Sequence, residues 1–126
     1  MEIIFGDIQL NKKLGLKVKK TNHLDTFERQ MEVIEIQGGD PVIVDYGGKK
    51  TKDVEIVCNL DGRGLPKTTL RSSIENALQG EVKYKRLEFW DGIVFDAVVK
   101  GKIVFNELFN DYYEVSIIFS VKEVKK

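Results

Sequence analysis

Tyr112–Val121 reads YYEVSIIFSV, and its alternation decides the fold class. Tyr113, Val115, Ile117, Phe119 and Val121 form one set, and Glu114, Ser116, Ile118 and Ser120 form the other. Side chains on an extended backbone point to opposite faces with a period of two, so the first set belongs to a core and the second faces outward. Just upstream, Ile93–Lys100 (IVFDAVVK) and Lys102–Phe105 flank Gly101, which reads as a bend or bulge within one long strand. Val54, Ile56, Cys58 and Leu60 share one face of another strand, and Met31–Ile36 is a further candidate. Val82–Trp90 is strand-like but slips phase near Arg86. Glycines at 38–39, 47–48, 62, 64, 80, 92 and 101, with Pro41 and Pro66, punctuate these runs at the short intervals of an antiparallel protein.

One segment departs from the period of two. In Pro66–Gln79 (PKTTLRSSIENALQ), Leu70, Ile74, Ala77 and Leu78 line one helical face. Pro66 suits the first turn and Gly80 the C-terminal cap. The reading is a mainly β protein, a β-sandwich or strongly bent antiparallel sheet with one amphipathic α-helix packed on it, forming a single domain over residues 1–126.

The chain has 126 residues, 42% hydrophobic and 32% charged, with a formal net charge of zero. That length buries a real core. Zero net charge supplies no broad field for nucleic acid or anionic lipid, so no sequence-specific nucleic acid and no membrane is expected as a partner. One cysteine, Cys58, leaves nothing for an internal disulfide and fits a reducing compartment. With one histidine besides, His23, a Cys/His zinc site has too few ligands. The amino-terminal MEIIFGDIQL lacks a basic start, and no apolar run approaches a membrane span. The expectation is a soluble, cytosolic chain.

Two glycine pairs in Ile36–Asp53 (IQGGDPVIVDYGGKKTKD) raise the question of a phosphate cradle. A P-loop needs Gly-Lys followed by Ser or Thr, with a glycine five positions before the second glycine. Here Lys50 follows Gly48-Lys49, Ile43 holds the earlier position, and the strand-like DVEIVCNL stands where a helix belongs. Both pairs read as turns. Gly38-Gly39-Asp40-Pro41 ends one strand, and Tyr46-Gly47-Gly48-Lys49 reverses a hairpin with arms PVIVDY and KKTKDVEIV. DGRGLP at 61–66 is a strand-to-helix turn. Asp91 and Asp111 are turn residues, and His23 a loop histidine without a triad. Cys58 faces inward as a small core residue. Lys83–Trp90 interleaves bases with Tyr84, Phe89 and Trp90, the composition of a sheet that stacks nucleobases. The simpler reading puts those rings in the core and the bases in solvent. No catalytic, cofactor-binding or metal-binding set emerges, and the chain is not expected to be an enzyme.

In order and spacing the chain resembles the N-terminal, ring-forming domain of siphophage distal tail proteins. The stretches that carry the resemblance are IIFGDIQLNKKLGLKVKK, similar to an opening strand and polar turn, and ERQMEVIEIQGGDPVIVDYGGKKTKDVEIVCNL, similar to strand, glycine turn, hairpin and returning strand. The helix TTLRSSIENALQG and the closing strands KRLEFWDGIVFDAVVKGKIVFNELFNDYYEVSIIFSVKE complete it. It implies a structural protein of a phage or prophage tail: a six-fold ring at the tail tip, joining the tail tube to baseplate or tail-fibre components, placed in the virion tail and assembled in the host cytoplasm. Many members carry a second, C-terminal domain, so this sequence corresponds to a minimal version or to a fragment. A ring covers unpaired sheet edges by pairing them between neighbours. The candidate arm is the hairpin with Pro41, Val42, Val44, Tyr46, Gly47, Gly48, Lys49, Lys50 and Lys52. Alternatives are a tail tube or terminator-like subunit, or a nucleic-acid-binding β domain using the Lys83–Trp90 face.

Overall fold

The longest strand, β10 (Tyr112–Glu123), is the spine of the molecule, described here over residues 1–124 of a computed structural model. Its alternation is the one read from the sequence: Tyr113, Val115, Ile117, Phe119 and Val121 are buried, and the residues between them are partly exposed. On one side it pairs along ten residues with β6 (Lys52–Asp61). On the other it pairs with β9 (Val104–Phe109) and β8 (Val94–Val99), which lie end to end along it. Gly101, at φ 69°, sits in the break between them, so the long interrupted strand inferred around that glycine is present.

The remaining strands extend both flanks. The order is β2 (Ile8–Gln9), β1 (Ile3–Phe5), β7 (Lys85–Phe89), β8, β10, β6, β3 (Lys17–Thr21), with every pairing antiparallel. This is one eight-stranded sheet rather than two stacked ones, so of the two architectures expected the bent sheet is correct. The bend is severe. β1 and β10 are three places apart in the order, about 14 Å in a flat sheet, yet the rings of Phe5 and Phe119 lie 5.0 Å apart. The sheet therefore curls around its own concave face. Its two ends, β2 and β3, are joined by α1 (Leu10–Leu14), a single turn about 7.5 Å long.

α1 replaces the polar turn expected after the opening strand. Its free amides are satisfied from a distance: the Glu2 carboxylate accepts from Asn11 N at 2.8 Å and Lys12 N at 3.1 Å. Leu10 and Leu16 then enter the core. α2 (Lys67–Gln79) begins after Pro66 as expected and buries Leu70, Ile74 and Leu78 against the sheet. Ala77 is only half-buried, and Gly80 caps the helix in the right-handed region rather than the left-handed one. Gly62, in the turn before α2, has no room for a side chain. A Cβ there would lie 2.9 Å from both Leu70 Cδ2 and Tyr113 Cε2. Cys58 is fully buried, and burial pushes its thiol up to about 12, consistent with a packing role.

Candidate assembly interface

Two strands stand outside this sheet. β4 (Arg29–Ile34) and β5 (Val42–Lys49) pair with each other as a separate two-stranded ribbon and scarcely pack on anything else. This corrects the hairpin expected from the sequence. The reversal lies at Gly38-Gly39, where Gly39 N donates to Ile36 O at 3.1 Å and Gly38 has φ 78°. Gly47 and Gly48, at φ 76° and 70°, do not turn the chain back onto β6; they lie within β5 as a bulge opposite Gln30. Two glycines with positive φ serve a tight turn and a bulge equally well. The choice is made by β6, whose two edges are already taken by β10 and β3.

The proposed interface residues are thereby separated. Pro41 ends the connection into β5, while Val42, Val44, Tyr46, Gly47, Gly48 and Lys49 belong to β5. Lys50 lies in the link, and Lys52 opens β6. Register places Val42, Val44 and Tyr46 on one ribbon face with Ile34 and Glu32, and Ile43 on the other with Val33 and Met31. Both faces thus expose apolar side chains among polar ones: Ile43 is 64% exposed, Tyr46 63% and Val33 50%. A free-standing hairpin is marginal in water, so the apolar side chains it leaves open make the ribbon a candidate interaction surface. Polar pairs hold its register. Tyr46 OH donates to Glu32 Oε2 at 2.7 Å, which raises the phenol pKa, and Arg29 pairs with Asp45, whose carboxyl is lowered by that hydrogen bond and by Gly47 N.

The ribbon's root is built firmly. Lys50 N donates to Glu28 O at 2.8 Å, closing the two legs. Lys52 reaches across to the carbonyls of His23 and Asp25 and lies over the rings of Phe27 and Phe95, 4.8 and 4.9 Å from their centroids. Burial lowers its pKa, and Asp25 opposes that shift. His23, expected as an ordinary loop histidine, is 4% exposed. Its ring stacks on Phe89 at 4.1 Å, and its Nε2 lies 2.7 Å from Asp91 Oδ2. The Asp91 carboxyl is lowered, first by this hydrogen bond. Loop 22–28 is thus pinned to the β7–β8 turn. The only sequence cue was Asp91-Gly92, read as a turn without its partner.

The three rings of the Lys83–Trp90 segment have separate surroundings. Phe89 is core, Tyr84 lies under Lys122, and Trp90 borders His23. Lys83 pairs with Glu81, and Arg86 with Glu88. Of the rings assigned to the core, only Phe89 is buried there. Among the described residues no group of three or more His, Cys, Asp or Glu is placed to hold a metal ion, and no helix is long and apolar enough to cross a membrane.

Neither a protein-family model nor a curated protein matches the chain. Among solved structures it is similar to the SPP1 Dit (gp 19.1) protein, described as a paradigm of the hub adsorption apparatus in phages that infect Gram-positive bacteria. The TM-score is 0.73 at 17% identity, over 96% of this chain and 49% of that one. The chain has the fold of about half of that hub protein. The chain spans about half the hub protein's length, and the likeness agrees with the resemblance read from the sequence.

Proposed function

We propose that the chain is a structural subunit of a phage tail that associates with its own copies into a closed ring at the tail tip, linking tail tube to baseplate or tail-fibre proteins. The six-fold count follows the family resemblance, as do virion-tail placement and assembly in the host cytoplasm. The observation that carries the reading is a ribbon that exposes apolar side chains on both faces and, among the described residues, packs on little else of its own chain, in a molecule sharing the fold of a hub protein. A contact between a projecting arm and a different surface of the next copy is heterologous, and it either closes by rotation or grows into a fibre. Nothing in this role requires catalysis. Light scattering and native mass spectrometry over a concentration series test it. A single discrete oligomer, seen as rings by negative-stain microscopy, is expected; a chain that stays monomeric throughout overturns the proposal.

A further inference from the structure

If the ribbon is an arm, the molecule must also carry the surface that receives it. A cleft of about 370 Å³ opens between the end of α1 and the β9–β10 turn, with Gly15, Lys17, Asn59, Leu108, Phe109 and Tyr112 in its lining. Its apolar wall is the Phe109–Tyr112 ring pair, 4.5 Å between centroids, and Phe109 is 62% exposed. The wall sits at β9, which pairs with β10 on one side only. Its rim is basic. Of the two charged side chains in its lining, Asp61 is chelated by Arg63 at 2.8–3.1 Å and so contributes little net charge, and Lys17, which also helps lower the Asp61 carboxyl, forms no ion pair among the described residues.

The ribbon tip has the opposite character. Ile34, Ile36 and Val42 are exposed, and Glu35 and Asp40 flank them without a described cationic partner. No ribbon residue lines the cleft, so within one chain the two do not meet. A projecting acidic-apolar tip and a recessed basic-apolar cleft at separate places on one chain are the two halves of a heterologous contact, with charge fixing its orientation. We propose that the Ile34–Val42 tip of one copy seats in the Lys17–Phe109 cleft of the next. This rests on the ring reading and names the receiving site within it.

The test mixes two single-cysteine variants, Ile36→Cys and Phe109→Cys, with a short bis-maleimide; native Cys58 is buried and stays silent. The expected result is a crosslinked dimer from the mixture, above the level given by Ile36→Cys mixed with Ser72→Cys on the exposed face of α2. In parallel, Lys17→Glu weakens association on the order of ten-fold, and Glu35→Lys with Asp40→Lys in the partner copy restores it. Rings that form without this crosslink and ignore the charge reversals overturn the cleft assignment while leaving the ring reading intact. A monomer at every concentration overturns both.

Discussion

Excising the ribbon separates its two candidate roles, as part of the folded domain and as an assembly arm. Glu28 O and Lys50 N are already hydrogen bonded at 2.8 Å. Replacing residues 29–49 by two residues such as Asn-Gly converts that bond into the closing bond of a four-residue turn. The core loses nothing directly, because no residue of β4 or β5 belongs to the buried cluster. Phe27 and Lys52, which tie the root to Phe95, remain. Shortening the connection about ten-fold relieves at most about 2 kcal/mol of closure entropy. The lost cross-strand pairs were internal to the ribbon, and the Lys49–Glu123 ion pair is exposed and contributes under about 1 kcal/mol. The expected outcome is an unchanged or slightly raised urea midpoint with a chain that is monomeric at concentrations where the parent is oligomeric. Urea unfolding followed by Trp90 fluorescence, beside light scattering, reads both. A fall in stability of several kcal/mol would show that the ribbon props the core. Oligomers that survive excision would show that the arm lies elsewhere.

Gly62→Ala drives a methyl group into Leu70, Tyr113 and the Asp111 carbonyl, and a loss of about 1–3 kcal/mol is expected in urea unfolding. His23→Ala removes a buried ring stacked on Phe89, costing about 2 kcal/mol in the same assay. It also loosens loop 22–28, so hydrogen exchange accelerates there before the β6–β10 pairing is affected. Asp91 has a folded carboxyl held below its ordinary value of 3.8, so its contribution is present above that pH and is lost as pH falls through the lowered value. The stability gap between the parent and Asp91→Asn should therefore narrow on acidification below about pH 4, and a pH-independent gap would refute a stabilising role for the ionised Asp91 carboxylate. Cys58, pushed up to about 12 by burial, should react with a thiol reagent only as fast as the domain opens.

The amino-acid order alone marked β6, β8 and β10 as strands and α2 as a helix, and showed which side of β6, β10 and α2 is core. The period-two runs of β6 and β10 and the helical spacing of Leu70, Ile74 and Leu78 carry that information locally, since burying one face imposes the period whatever the neighbours are. It also excluded a phosphate cradle, because a P-loop requires particular residues at particular spacings. Pairing was a different matter. Gly47-Gly48 permits a bulge or a turn with the same dihedral angles, and only the occupation of both β6 edges made it a bulge and left β4–β5 standing free. His23 and Asp91 are 68 residues apart, and nothing near either one marks the other as its partner. The cleft is assembled from distant segments, Gly15 and Lys17 with Asn59 and with Phe109 and Tyr112, so it exists only once the sheet has brought them together. Local periodicity decides what a segment is; competition among strands for edges decides what it is left free to touch.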